Sequence, residues 1–363
     1  ESSTLKLNDI KMENIEEHKF GFKKTVIYST IIVIVLLILA EMSIRTWAYF
    51  FRGEYERYDV DSGTFVLIPG KHKIGRSILN VNSDGFVGNE LKKQNDKLYR
   101  ILALGDSVTF GDGDMYTTYP ALLEQDLNRT PLKGVEYEVV NGGVEGLNSE
   151  MALKRLKSKG PGLKPDIVTI YIGWNDLMKF DPTSQGNVKK WSGLARALDK
   201  LWLAKGVRKL VFFYIRPNLN SPGVGKNSSK GLFKDFVPTF YEDNLRKLIN
   251  TTRSIGAKPL VMTLPTVIRK NMQLSDLKEA NVVFPYYPSA YNVYDLLDMI
   301  SSYNKSIRRI AAEKNVKIID LESAFSKLKN TKPYFYDTMH TSKKGRKLIA
   351  NEINKALKEN NLL

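Results

Sequence analysis

Residues 102–111 read LALGDSVTFG, an apolar run that stops directly at Gly105-Asp106-Ser107. A short, continuously apolar run bounded by glycine is typical of a strand buried on both faces of a parallel sheet. The polar triplet has two explanations. It is a plain turn, or it carries a serine hydroxyl to the carboxyl end of the strand, where ligands bind in open parallel sheets.

Apolar runs of the same kind recur along the chain and alternate with helical patterns. Besides 99–105, they span 135–143, 165–173, 258–265 and 316–321. This alternation predicts an α/β fold in which five parallel strands are covered by helices on both faces, giving three layers. The helical pattern that starts at Ser149 is expected to end at Gly160, because glycine commonly stops a helix.

Other parts of the chain do not follow this alternation. We interpret two long segments, near 181–235 and 267–292, as insertions in a main domain of residues 98–363. Residues 51–97 are rich in turn formers, and we expect them to be a connector of short strands packed on that domain.

The composition excludes several kinds of site. The 363 residues have a net charge of +16, no cysteine and three histidines. Thiolate nucleophiles and cysteine-based zinc sites are therefore excluded, and a multi-histidine metal site is disfavoured. Asp112 and Asp114 stand in a glycine loop but are too few to indicate calcium. We predict neither metal nor cofactor.

The charge has two explanations. The lysines are scattered and accompany no nucleic-acid motif, so we expect no nucleic-acid partner. An anionic membrane lipid surface or wall polymer suits such a chain better. A lysine-rich proteome explains the charge equally well.

The N-terminal region predicts a membrane anchor over residues 25–50. Residues 25–40 carry no charge and reach about 24 Å as a helix. An aromatic belt typical of a membrane interface follows at Trp47, Tyr49, Phe50 and Phe51.

Lysines precede the apolar run, so the positive-inside rule places residues 1–24 in the cytoplasm and everything after residue 50 outside. We favour a single-pass signal anchor. A cleaved signal peptide and a buried soluble helix are the alternatives.

Three further polar clusters follow predicted strands or lie just ahead of the last helix. They are 141–146, 173–176 and 337–340. Because the carboxyl ends of parallel strands share one edge of the sheet, we expect these clusters to converge on Ser107. Taken singly, each has an ordinary explanation as a turn, a helix cap or a surface pair.

The side chains of these clusters complement one another chemically. The Ser107 hydroxyl needs a base before it becomes a good nucleophile, and His340 is a candidate base that Asp337 can orient. The amides of Ser107 and Gly146 and the side chain of Asn175 are candidate donors to an oxyanion.

The four clusters together resemble the blocks of an SGNH-type (GDSL-like) hydrolase. LALGDSVTFG resembles the first block, VVNGGVEGLNS the second, IYIGWNDL the third and YDTMHTSKKG the fifth, within residues 98–360. The resemblance implies a flavodoxin-like α/β/α sandwich of five parallel strands. The chain departs from the motif name at Val108, where the family has Leu. Thr109 disfavours an ordinary α/β-hydrolase, whose nucleophile turn needs glycine there.

The resemblance also implies roles for single residues. Ser107 would be the nucleophile and His340 the general base, oriented by Asp337. Ser107, Gly146 and Asn175 would form the oxyanion hole.

The implied activity is cleavage of an acyl or acetyl ester through an acyl-enzyme. An anchored domain would meet membrane lipids or acylated polysaccharides first. There are two alternatives. One is an O-acyltransferase that uses the same triad, and the other is a non-turnover subunit of a membrane complex, with protein partners in the membrane.

Residues 189–216 resemble a basic interfacial helix, or a helix that packs its apolar stripe on the sheet.

Overall fold

The computed structural model describes residues 21–51, 55–59, 61–74, 77–132, 134–178, 201, 203, 233, 235–270, 272–282 and 293–363. Residues 1–20, almost all of the insertion near 181–235 with its proposed helix at 189–216, and residues 283–292 lie outside this part. So do the side chains of the predicted aromatic belt.

Helix α1, Phe22–Phe51, contains a segment long and apolar enough to cross a membrane. That segment, Lys23–Thr46, has a mean hydropathy of 2.4, and none of its most apolar stretch is buried in the protein. At 1.5 Å per residue, its 24 residues reach about 36 Å, which exceeds the roughly 30 Å of a hydrocarbon core.

Two antiparallel hairpins follow α1 and precede the central sheet. Strand β1, Glu56–Asp59, pairs with β2, Thr64–Leu67. Strand β3, Gly70–Ile74, pairs with β4, Ser77–Val81. Short strands therefore make up much of the region between α1 and the main domain.

The central sheet has five parallel strands, as the apolar runs predict. They are β5 Leu98–Gly105, β6 Glu136–Asn141, β7 Ile167–Tyr171, β8 Lys258–Met262 and β9 Lys317–Ile319. Their order is β6-β5-β7-β8-β9, the flavodoxin-like arrangement in which the first strand lies between the second and the third. Ile101 to Leu104 are all at most 2% exposed, because both faces of β5 are covered. Burial of both faces explains the unbroken apolar run.

Helices cover both faces of this sheet. The described helices of the main domain are α2 Ser107–Phe110, α3 Tyr119–Arg129, α4 Ser149–Leu163, α5 Trp174–Met178, α6 Thr239–Ser254, α7 Leu274–Glu279, α8 Val293–Glu313, α9 Leu321–Ser326 and α10 Lys343–Glu359. Helices α3 and α10 pack together on one side, and α4, α6 and α8 pack in sequence on the other. The fold is a three-layer α/β/α sandwich.

The predicted end of α4 at Gly160 is wrong. The helix continues through Pro161 to Leu163 and ends where Lys164 adopts a φ of 49°. A Cβ at position 160 would lie 2.8 Å from Cδ1 of Ile255, so the glycine permits close packing of helices rather than stopping one.

The connector is pinned to the main domain by backbone and side-chain contacts. Val87 forms isolated bridges with Val81 and with Asn141 at the end of β6. The buried Arg155 guanidinium donates to the carbonyl oxygens of Gly85 and Gly142. Burial lowers the pKa of Arg155 to about 10.

Candidate active site

Ser107 stands at the carboxyl end of β5 as the first residue of α2. Gly105 makes this corner possible, since a Cβ there would lie 1.9 Å from Oγ1 of Thr109 and 2.9 Å from the carbonyl oxygen of Tyr171. The Asp106 carboxylate accepts the Val108 N–H at 3.0 Å and caps the short helix. The serine is therefore held at the end of the strand by a fixed turn.

Ser107, His340 and Asp337 form a continuous chain of hydrogen bonds. The Ser107 Oγ lies 2.8 Å from His340 Nε2, and His340 Nδ1 lies 2.7 Å from Asp337 Oδ2. The other Asp337 oxygen accepts the N–H groups of Met339 and His340 at 2.9 and 2.8 Å. These bonds orient the carboxylate towards the ring, and the ring in turn presents Nε2 to the serine.

The charges around the triad favour a protonated His340. Burial opposes charge on the ring, but the hydrogen bond to Asp337 and the charges of Asp337, Asp106 and Glu145 outweigh it, so the pKa of His340 is raised. Burial likewise opposes charge on Asp337, yet its bonds from His340 and Met339 lower its pKa. This arrangement stabilises an imidazolium, the form that a general base takes after accepting a proton.

The loop after β6 packs closely against the turn that carries Ser107. A Cβ at Gly143 would lie 2.2 Å from the Phe110 amide nitrogen, and the Val144 N–H donates to the Gly105 carbonyl at 3.3 Å. Gly146, three residues after Gly143, has a φ of +71°, a conformation that favours glycine.

Asn175, on α5, joins this loop to the turn that carries Ser107. Its Nδ2 donates to the Leu147 carbonyl at 3.0 Å and lies 3.5 Å from Asp106 Oδ2. The second contact is long for a hydrogen bond, so this N–H could instead donate to a better acceptor. Asn175 therefore lies between Leu147, next to Gly146, and Asp106, which precedes Ser107.

A comparison with protein families matches residues 103–348 to the GDSL-like Lipase/Acylhydrolase family. The chain belongs to this family. The match covers the region in which Ser107, Gly146, Asn175, Asp337 and His340 lie.

Solved structures of lipases and esterases are similar to this chain. A lipase/acylhydrolase from Enterococcus faecalis is 20% identical, with 72% of this chain and 96% of that chain covered and a TM-score of 0.43. An acetyl xylan esterase is 18% identical, with 71% and 99% covered and a TM-score of 0.43. A GDSL-like lipase from Bacteroides thetaiotaomicron is 14% identical, with 74% and 93% covered and a TM-score of 0.43. A search of curated proteins finds no significant match.

Asp106 is a member of the site that the sequence reasoning did not single out. Its side chain is fully buried, and burial raises its pKa to about 6 despite the Val108 N–H, the His340 charge and Asn175. Its position inside the GDSL-like motif is the sequence signal that could have identified it as a site residue. Asp106 joins the turn that carries Ser107 to Asn175.

Asp176 was also missed, and it connects α5, the helix that carries Asn175, to the start of α4, which follows the loop that carries Gly146. Its carboxylate accepts the Ser149 N–H at 2.9 Å and the Ser149 hydroxyl at 2.6 Å. Asn244 of α6 donates to the same hydroxyl at 3.0 Å. All three side chains are at most 4% exposed. A helix cap was the ordinary explanation of the Asn175-Asp176 pair; in the structure Asp176 lies within α5, and its carboxylate accepts from Ser149, the first residue of α4.

The rim of the site includes a residue of the connector. The Tyr55 hydroxyl donates to Glu145 Oε2 at 2.6 Å, and the Tyr55 ring stacks on Phe110 with centroids 5.9 Å apart. Nothing in the local sequence of Tyr55 indicated this contact, because the partners are 90 residues apart.

The acidic pair in the glycine loop has structural partners. Asp112 forms a bidentate ion pair with Arg346 at 2.8 and 2.9 Å, and Asp114 caps the 3-10 helix Met115–Thr117. Among the described residues, no group of three or more His, Cys, Asp or Glu side chains is arranged to hold a metal ion.

Proposed function

We propose that this GDSL-like family member is a membrane-anchored serine esterase or acylhydrolase. It cleaves an acyl or acetyl ester of a membrane lipid or an envelope polysaccharide. The hydrogen-bonded chain from Ser107 through His340 to Asp337 carries the proposal, because its distances of 2.8 and 2.7 Å allow proton transfer without rearrangement.

The reaction follows from this geometry in two halves. Ser107 Oγ attacks the ester carbonyl carbon while its proton passes to His340 Nε2. The tetrahedral intermediate then expels the alcohol, which takes that proton, and leaves an acyl-Ser107. Water attacks the acyl-enzyme, His340 accepts a proton from it, and the acid departs as the proton returns to Ser107.

The negative oxygen of each tetrahedral intermediate needs donors. We assign this role to the amides of Ser107 and Gly146 and to Asn175 Nδ2, which would exchange its 3.5 Å contact with Asp106 for the oxyanion. One such donor contributes about 3 kcal/mol in the transition state.

The anchor is α1. Because Lys23 and Lys24 lie at the start of α1, we place the N-terminus in the cytoplasm and the catalytic domain on the opposite side of the membrane. A domain in this position meets membrane lipids and acylated envelope polymers.

Labelling with a fluorophosphonate probe tests the proposed nucleophile in the full-length protein. We expect the wild type to be labelled, Ser107→Ala and His340→Ala to lose labelling, and Ser254→Ala, an exposed serine on α6, to retain it. Absence of labelling in a folded wild-type protein would overturn the esterase proposal and favour a non-turnover subunit. Mass spectrometry of the products, with a sugar acceptor present, then separates transfer to a hydroxyl from hydrolysis.

A further inference from the structure

Two contacts connect the anchor region to later parts of the chain: one reaches the residue next to Gly146, and the other reaches the insertion near 181–235. We propose that α1 is docked on the catalytic domain so that the mouth of the active site is held at the bilayer surface, where it takes its acyl ester from a membrane lipid. This inference rests on the proposed esterase function and selects lipids over soluble or polymeric esters.

The first contact is that of Tyr55 with the loop after β6. Glu145, which accepts the Tyr55 hydroxyl, immediately precedes Gly146, and the ring beneath Tyr55 belongs to Phe110, the last residue of the helix that Ser107 begins. Tyr55 is four residues beyond the end of α1 at Phe51, which limits the separation of their Cα atoms to about 14 Å. The connector therefore brings the rim of the site close to the end of the membrane helix.

The second contact lies on α1 itself. The Leu203 backbone N–H donates to Glu41 Oε2 at 2.7 Å, and the other Glu41 oxygen accepts Arg45 Nε at 2.7 Å. Leu203 lies in the insertion near 181–235 that the sequence predicts within the main domain. The contact therefore joins α1 to that insertion.

The coverage of α1 supports docking on one face. Between residues 23 and 46, Ala40, Glu41 and Ile44 are partly covered, while the other residues are exposed. These three positions lie on one side of a helix, since residues three and four apart are neighbours. Met42, which faces the other way, is 59% exposed.

The lengths place these contacts at the membrane boundary. Glu41 is 18 residues after Lys23, a rise of about 27 Å, which is close to the far side of a hydrocarbon core of roughly 30 Å. From Thr46 to Tyr55 the chain rises about 7 Å in the helix and extends at most about 14 Å beyond it. A compact domain of about 300 residues is about 50 Å across, so the rim at Tyr55 lies in its membrane-proximal half.

An exposed aromatic next to the triad suits this orientation. Tyr336, directly before Asp337, is 52% exposed, and tyrosine is enriched at the level of lipid head groups. The ester carbonyls of membrane lipids lie at the same level, between the head groups and the hydrocarbon. The ester bond of a membrane lipid therefore lies at the same depth as the mouth of the active site in the docked domain.

Disulfide trapping tests the docking directly, and the chain is suited to it because it contains no cysteine. In vesicles, oxidation of Ile44→Cys/Leu203→Cys is expected to give at least tenfold more intramolecular cross-link than Met42→Cys/Leu203→Cys, which places the cysteine on the opposite face. Equal cross-linking of the two pairs would mean that α1 does not dock on this face.

Activity on two esters tests the consequence. The full-length protein is reconstituted in vesicles of phosphatidylcholine and phosphatidylglycerol that contain a fluorogenic phospholipid ester, with p-nitrophenyl acetate as the soluble ester. We expect Ser107-dependent cleavage of both. Glu41→Leu should lower kcat/KM for the phospholipid at least tenfold and leave the soluble ester within twofold, whereas Glu41→Gln, which keeps an acceptor for the Leu203 N–H, should resemble the wild type.

The outcomes separate this inference from the proposed function. Ser107-dependent cleavage of the soluble ester without cleavage of the phospholipid, or equal effects of Glu41→Leu on both esters, would overturn the lipid inference and leave the esterase intact. If Ser107→Ala changes neither reaction, the esterase proposal fails and the lipid inference fails with it.

Discussion

Replacement of Asp176 by alanine should destabilise the domain and slow catalysis together. The buried carboxylate accepts two hydrogen bonds from Ser149, at 2.9 and 2.6 Å. Hydrogen bonds to a charged group contribute about 1.5–3 kcal/mol each, so loss of both in Asp176→Ala should cost about 3–6 kcal/mol. For a domain of this size, that corresponds to a drop in Tm of about 6–10 °C. Asp176→Asn keeps one acceptor and should cost about 1–2 kcal/mol.

Thermal unfolding followed by intrinsic fluorescence, combined with ester-hydrolysis kinetics well below the Tm, measures both effects. Because Asp176 positions Asn175 and the Gly146 loop without touching the substrate, kcat should fall while KM changes little, and Asp176→Asn should recover most of the activity. Asp243→Ala, at an exposed carboxylate on α6, serves as the control and should shift stability by less than about 0.5 kcal/mol. An unchanged Tm in Asp176→Ala, with or without loss of activity, would refute the bracing role.

Three further outcomes are expected. Because His340 must be neutral to act as base and its pKa is raised, kcat/KM should fall with decreasing pH through an apparent pKa above 6.5. Glu145→Gln removes one of the charges that raise this pKa and should move the fall in kcat/KM to lower pH. An unchanged pH profile would exclude the contribution of Glu145. Asn175→Asp, which exchanges the amide donor for an acceptor, should lower kcat by about 10²–10³-fold at nearly constant KM, and a change confined to KM would argue against an oxyanion role. Gly105→Ala should prevent folding or abolish activity through its 1.9 Å clash with Thr109, whereas Gly162→Ala, with nothing within 4 Å, should be tolerated in a melting experiment.

The strands and the triad could be predicted because their signals are local. Burial of both faces makes each central strand an apolar run, and the polar residues that follow mark the sheet edge where Ser107 and His340 meet, although they are 233 residues apart in sequence. The order of the strands follows from the fold that the motifs imply, rather than from any one strand.

Contacts made by ordinary polar residues could not be predicted. The bonds of Asp176 with Ser149 and of Tyr55 with Glu145 depend on how two loops approach one another in space, and neither partner is unusual in its own segment. The predicted end of α4 was wrong for a similar reason, because the true end depends on contacts with another part of the chain. A Cβ at Gly160 would lie 2.8 Å from Cδ1 of Ile255, and tertiary packing of α4 outweighs the tendency of glycine to stop a helix.

The bridge between Val87 and Asn141 has a consequence for any shortened form of the protein. Strand β6 is at the edge of the central sheet, and the connector runs beside it. In addition to the bridge, the backbone N–H of Lys92 donates a hydrogen bond to Glu138, and its ammonium group donates one to Glu136. An uncovered edge strand can pair with the same strand of another molecule and so promote aggregation. A fragment that begins at the first residue of β5 would uncover this edge, so a water-soluble form of the enzyme should retain the chain from Tyr55 onward.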